Sequence, residues 1–272
     1  MKTMVTRLVS GAFILAILIS PVWAVDLVLY DDFNAKLINP DKWFGRVSGS
    51  SGNELFETIR EIKGNRLHLL GRGYGRTDIG SGGSASGVQL FFSNPNFVAI
   101  KATLQVKNYD LVGCGDSDTG SRVRARIVGS FFNTTDAPTS GSLENDVWAQ
   151  IRLQRNANSS DSPKVLLVLA DVFRCTDSTC TGFETLGAGD LGTANVGEKV
   201  TLRLEWDQTK HQFIAQRDNE PEVFLPYSVS DTSTPGAKFR RMEVTQTLTN
   251  CTAQPRPVGF MDAYFDDVFV NQ

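Results

Sequence analysis

Three arginines stand two residues apart at Arg122, Arg124 and Arg126, and further along Trp148, Gln150 and Arg152 repeat that spacing. On an extended strand, alternate side chains point the same way, so each triplet would share a face. Guanidinium forks bind carboxylate or sulfate through paired N–H donors. Amides satisfy hydroxyls, and an indole stacks on the apolar side of a pyranose. The mixture points to carbohydrate binding, with an acidic polysaccharide or glycan as partner. The competing reading is a solvated outer face whose arginines pair across strands with acids such as Glu205. The same alternation puts Lys101, Thr103, Gln105 and Lys107 on one face, as it does Gln154 with the Trp148 set and Thr201 with Arg203 and Glu205. If these strands lie in one sheet, all these groups line one open surface.

Other chemistry is excluded by spacing. No Gly-x-Ser-x-Gly elbow lies in Gly80–Gly87, and Gly71-x-Gly73-x-Gly75 lacks the βαβ context of a dinucleotide site. Asp116-Ser117-Asp118-Thr119-Gly120 starts like a calcium loop, but Ile127 stands where a bidentate glutamate is required. The only two histidines, His68 and His211, are far apart, and the cysteine spacing matches no zinc site.

The N-terminus places these residues in a compartment. Lys2 and Arg7 precede the apolar run Leu8–Ile19, then Pro21 and Val22-x-Ala24. This reads as a secretory signal over 1–24, cleaved after Ala24 to leave one domain over 25–272 with no membrane span. The expected location is secreted, or periplasmic and cell-surface. The chain carries 27 Lys and Arg against 30 Asp and Glu, and loss of Lys2 and Arg7 deepens the acidic excess. Nucleic acid is therefore not an expected partner. The four cysteines, Cys114, Cys175, Cys180 and Cys251, read as disulfides in an exported chain. Cys175 and Cys180 can close a small loop, leaving Cys114 to Cys251, although three connectivities are open. Asn133, Asn158 and Asn250 head glycosylation sequons.

The positioning elements are strands. Val200, Leu202, Leu204 and Trp206 alternate with polar residues, Asp207–Lys210 breaks the run, and His211–Arg217 resumes it. Asp218-Asn219 supplies a turn before Glu222–Leu225, giving a three-strand meander that needs a second sheet against its apolar face. Further strands are expected at Val25–Phe33, Glu54–Ile62, Arg66–Leu70, Val88–Ser93, Val98–Lys107, Arg122–Phe132, Val147–Arg155, Val165–Phe173, Lys238–Leu248 and Val258–Val270. Ser48–Asn53 and Gly71–Gly87 read as Gly/Ser loops. Val165–Ala170 is apolar at every position, which predicts a central strand covered on both sides. No segment shows sustained helical periodicity. About a dozen strands between Gly, Pro, Asn and Asp turns indicate an all-β sandwich or barrel.

Tyr30-Asp31-Asp32-Phe33 with Asp41-Lys42-Trp43, the hairpin Glu61–Leu67, the Trp206-Asp207 meander and Ala263–Val268 stand in a familiar order. Together they resemble the concanavalin A-like lectin/glucanase superfamily, including its laminin-G-like members. The resemblance implies an antiparallel two-sheet jelly-roll sandwich with adjacent terminal strands. It covers lectins, hydrolases, lyases and adhesion modules, so it does not choose an activity. Hydrolases of this kind often carry Glu-x-Asp-x-x-Glu on one strand. Glu144-Asn145-Asp146-Val147-Trp148-Ala149 supplies two members and has Ala149 at the third. Glu54 and Glu57 cannot substitute, because i and i+3 on a strand face opposite ways. Alginate-lyase-like sandwiches use Gln-Ile-His, where this chain has Gln150-Ile151-Arg152. His68 lies in the apolar run Leu67-His68-Leu69, which reads as structural. Adjacent termini would bring Asp31, Asp32, Asp266 and Asp267 together, where a structural calcium would relieve repulsion, unless alternate aspartates point apart into water. No cofactor is required. The expectation is a binding module without a catalytic apparatus, with lyase or hydrolase activity and a surface adhesion role as alternatives.

Overall fold

The computed structural model describes residues 25–49, 55–78, 80, 82–252 and 256–271. The signal segment 1–24 and residues 50–53 of the first Gly/Ser loop lie outside the described residues. The strands are β1 (Val28–Asp31), β2 (Trp43–Gly49), β3 (Glu57–Ile62), β4 (Leu67–Tyr74), β5 (Gly83–Phe92), β6 (Ala99–Val112), β7 (Arg122–Asn133) and β8 (Asp146–Asn156). They continue as β9 (Val165–Cys175), β10 (Phe183–Asn195), β11 (Lys199–Asp207), β12 (Gln212–Arg217), β13 (Val223–Pro226), β14 (Arg240–Thr249) and β15 (Val258–Val270). A single 3-10 turn, Gln208–Lys210, interrupts them among the described residues.

All pairing is antiparallel, and two sheets pack face to face. The first runs β13-β12-β11-β6-β15-β4-β3, with β1 also on β15; the second runs β10-β9-β8-β7-β14-β5-β2. Crossovers such as β6 to β15 and β7 to β14 give the jelly-roll winding. The terminal strands are neighbours: Val28 faces Val270 and Leu29 faces Phe269. The meander forms as β11-β12-β13, and Asp218 takes the positive φ its turn requires.

Period-two alternation builds the core between the sheets. Leu69, Leu104, Leu202 and Phe265 come from the first sheet and Val123, Ile127, Ile151, Val168 and Val244 from the second. Each such fully buried side chain contributes about 1.5–3 kcal/mol. The aspartate–aromatic motif near the N-terminus is structural. The Trp43 indole N–H donates to Asp31 at 2.7 Å, and its ring packs on Tyr30 and Phe92 with centroids 5.1 and 4.3 Å away. This cluster ties β1 in the first sheet to β2 and β5 in the second.

Two strands escaped periodicity. β2 (WFGRVSG) is an exposed edge strand, and β10 (FETLGAGDLGTAN) is a glycine-rich edge strand whose register slips twice on β9. The expected loop Gly71–Gly87 also contains the ends of β4 and β5. The prediction that Val165–Ala170 is covered on both faces fails. β9 is second from the edge; Leu166, Val168 and Ala170 enter the core, whereas Val165, Leu167 and Leu169 are half-buried on the opposite face.

Candidate functional site

β7 and β8 lie side by side in the second sheet, Arg126 opposite Arg152, Arg124 opposite Gln154 and Ser130 opposite Trp148. Val123, Ala125, Ile127, Ile151 and Leu153 turn into the core, so the intervening polar side chains turn away from it. Arg122, Arg124, Arg126, Trp148, Gln150 and Arg152 all line one groove of about 320 Å³, with Asp171 and Phe173 of β9 and Phe183 and Thr185 of β10. The other polar stripes do not join it. Lys101, Thr103, Gln105 and Lys107 are on β6, and Thr201, Arg203 and Glu205 on β11, both in the first sheet. There Thr103 faces Thr201, and Arg203 pairs with Glu205 and Glu222. Alternation assigns side chains to a face of a strand and cannot say which sheet receives that strand.

The groove floor is a connected polar network. Arg126 donates to Glu243 of β14 and to Gln150; Gln150 donates to Asp171 at 2.7 Å; Arg152 pairs with Asp171 and donates to Gln154 at 2.7 Å. Arg241 reaches the same Glu243 at 2.7 Å. Glu243 is fully buried. Burial works to raise its carboxyl, but Arg126 and Arg241 beside it hold it below the ordinary carboxylate range. Burial lowers Arg152 and Arg241, each partly offset by its carboxylate partner. Glu243 was invisible to motif reading; its signal is the alternation of Arg241, Glu243 and Thr245 against Met242 and Val244.

An aromatic end adjoins the arginines. Trp148 is only 9% exposed, with ring centroids of Phe173 and Phe239 at 5.6 and 4.7 Å and the Arg241 guanidinium 5.6 Å away. The expected open indole platform is therefore a packed floor, and its Nε1 has no hydrogen-bond partner. The ring that offers a free face is Phe183, 56% exposed and 5.3 Å from Phe173. Cys175–Cys180 is disulfide-bonded, and Cys180 lines the groove beside it; the second bridge joins Cys114 to Cys251. In the closed loop Asp177 accepts from the backbone N–H groups of Thr179, Thr181 and Gly182. Past Trp148 a second depression opens, lined by Phe44, Arg46, Phe91, Phe239 and Arg241.

The residues weighed for catalysis lie elsewhere. Glu144 is exposed in the turn before β8. Asp146 is buried and accepts from Asn133 and from the backbone N–H groups of Gly236 and Ala237, anchoring that loop. His68 is on the first sheet between Glu61 and Asp262, 3.0 Å from each, and stacks on Tyr264. Asp171 on β9 is the one acid among the groove's lining residues, whereas Glu243 on β14 is fully buried. Glycosidic hydrolysis uses a pair of carboxyl groups flanking the scissile bond. Near the termini, Asp32, Asp266 and Asp267 share a cleft with Arg66, Lys107 and Lys199, while Asp31 holds Trp43. Among the described residues, no group of three or more His, Cys, Asp or Glu is disposed to hold a metal ion.

No family model matches the chain, and no curated protein does. Solved structures with similarity to it include a GlcNAcα1-4Gal-releasing endo-β-galactosidase from Clostridium perfringens, at 11% identity and a TM-score of 0.43, covering 90% of this chain and 62% of that one. The chain thus spans less than two thirds of that enzyme. SCLam, a non-specific endo-β-1,3(4)-glucanase from family GH16, is 13% identical with a TM-score of 0.43, covering 92% and 94%. The VIP36 exoplasmic/lumenal domain, in a Ca²⁺/Man3GlcNAc-bound form, is 8% identical with a TM-score of 0.36, covering 84% and 89%.

Proposed function

We propose that the groove on the second sheet binds an acidic polysaccharide and that the chain is a carbohydrate-binding module. The observation that carries this is one groove combining an exposed ring, amides and guanidiniums: Phe183 at the mouth, Gln150 and Gln154 on the floor, and Arg122, Arg124, Arg126 and Arg152 along its length. A pyranose presents an apolar face to the ring and hydroxyls to the amides, and its acidic substituents suit the forks. Asp171, the one acid among the groove's lining residues, is paired with Arg152 and has no second lining carboxylate to act with, which supports binding over cleavage.

Titration of the purified protein with acidic and neutral oligosaccharides, alongside assays for reducing ends and unsaturated products, tests this reading. Saturable binding to acidic oligosaccharides that Phe183→Ala weakens, with no product formed, is expected. Silence across acidic glycans would reject the binding role; product release would replace it with an enzyme.

A further inference from the structure

The groove holds more positive charge than its own acids offset. Arg126 is paired with Glu243, which also takes Arg241, and Arg152 is paired with Asp171. Arg122 and Arg124 have no carboxylate at ion-pair distance among the described residues. The register shows why: Arg122 stands between Thr247 and Asn156, and Arg124 between Thr245 and Gln154. Arg124 gives one N–H to Thr247 at 2.9 Å, and the Nε of each arginine is buried without any hydrogen-bond partner. Burial, and then the like charges of Arg126 and Arg152, lower both guanidiniums below their ordinary pKa. Partly buried charge without a counter-ion destabilises a fold, and an amide at either position would relieve it. The strand interior does not need these charges, since the core faces of β7 and β8 are complete without them.

We infer that Arg122 and Arg124 form an oxyanion subsite that receives two negative charges of the glycan, carried as sulfate esters or uronate carboxylates on one sugar or on neighbours. The inference rests on the glycan reading above and adds the location and the charge count. Two positions along one strand, roughly 7 Å, separate the two arginines. An oxyanion seated there would meet the terminal N–H groups of both guanidiniums, which line the groove, and offset the repulsion from Arg126 and Arg152. Phe183 and the amides would then hold the sugar ring beside it.

The test uses sodium sulfate as the probe, at about 10 mM against sodium chloride of matched ionic strength, with melting followed for the wild type, Arg122→Gln, Arg124→Gln and the first-sheet control Lys101→Gln. Sulfate is expected to raise the wild-type and Lys101→Gln Tm by about 2 °C or more beyond chloride. That gain should vanish in Arg124→Gln and shrink in Arg122→Gln. Without sulfate, Arg124→Gln should melt at or above the wild type, whereas a structural arginine would lower it. Binding is then measured with an oligogalacturonate, a sulfated galactan oligosaccharide and a neutral β-glucan oligosaccharide. Arg124→Gln is expected to weaken the stronger acidic ligand at least about tenfold and leave any neutral binding unchanged. An equal sulfate response in Arg124→Gln, or a lower Tm in its absence, overturns the subsite. Tight neutral-glycan binding without a sulfate response overturns it while upholding a glycan groove. A sulfate response with no glycan bound upholds an anion subsite and overturns the glycan reading.

Discussion

At the scale of single residues, two aromatics in the groove have opposite duties. Trp148 is packed among Phe173, Phe239 and Arg241, so Trp148→Ala should cost about 3–5 kcal/mol in chemical denaturation and blur any binding result. Phe183 leaves more than half its surface exposed, so Phe183→Ala should shift the melting point little and weaken glycan affinity about tenfold. Isothermal titration with a parallel melting curve separates the two effects. Tyr227 supplies a different case. Its hydroxyl donates to Asp231 at 2.6 Å and accepts from the Trp206 indole at 2.7 Å, and burial followed by that carboxylate raises the phenol well above its ordinary value of 10.0. A raised folded pKa means that the protonated phenol stabilises fully below about pH 10 and that this contribution is lost as pH climbs further. Tyr227→Phe should lose about 1–3 kcal/mol at pH 7 and show a shallower alkaline decline above pH 10, measured by urea unfolding across pH.

At the scale of elements, the strand edges and crossings carry the fold. Gly129 on β7 has the Arg240 side chain running beneath it; a Cβ there would lie 2.3 Å from Arg240 Cδ. Arg240 itself lies over the Phe131 ring and donates to backbone oxygens of Ser130 and Phe97. Gly129→Ala should therefore destabilise by about 1–3 kcal/mol, with Gly49→Ala as a control at a position where a Cβ meets nothing within 4 Å. These elements were unevenly legible. Strands with one apolar face, such as β7, β8, β11 and β15, could be read from alternation because the core dictates every second residue. β2 and β10 could not, since an edge strand owes its place to a neighbour's hydrogen bonds and β10 has glycine at three positions. Whether a strand with apolar residues throughout has both faces covered likewise depends on what lies above it, and the apolar run of β9 carries no sign that one of its faces is only half-buried.

At the scale of the whole molecule, two cross-links differ in reach. Cys114–Cys251 joins positions 137 apart in sequence, whereas Cys175–Cys180 spans 5. In the chain-entropy account these contribute about 5 and about 2 kcal/mol. The Cys114→Ser/Cys251→Ser pair should melt well below the wild type and below the Cys175→Ser/Cys180→Ser pair. The short bridge should act more on glycan affinity, because Cys180 and Phe183 form the groove wall. The sequence by itself determined the all-β class, the alternation that aligns Arg122, Arg124 and Arg126 on one face, and the disulfide chemistry to be expected of four cysteines. Those follow from bond geometry and composition, which act within a few residues. Only the tertiary structure decided which strands share a sheet, that Glu243 and Asp171 offset Arg126 and Arg152, and that Arg122 and Arg124 are left without acids. Neighbours across a sheet are fixed by contacts between segments far apart in the chain, and a local pattern carries no record of them.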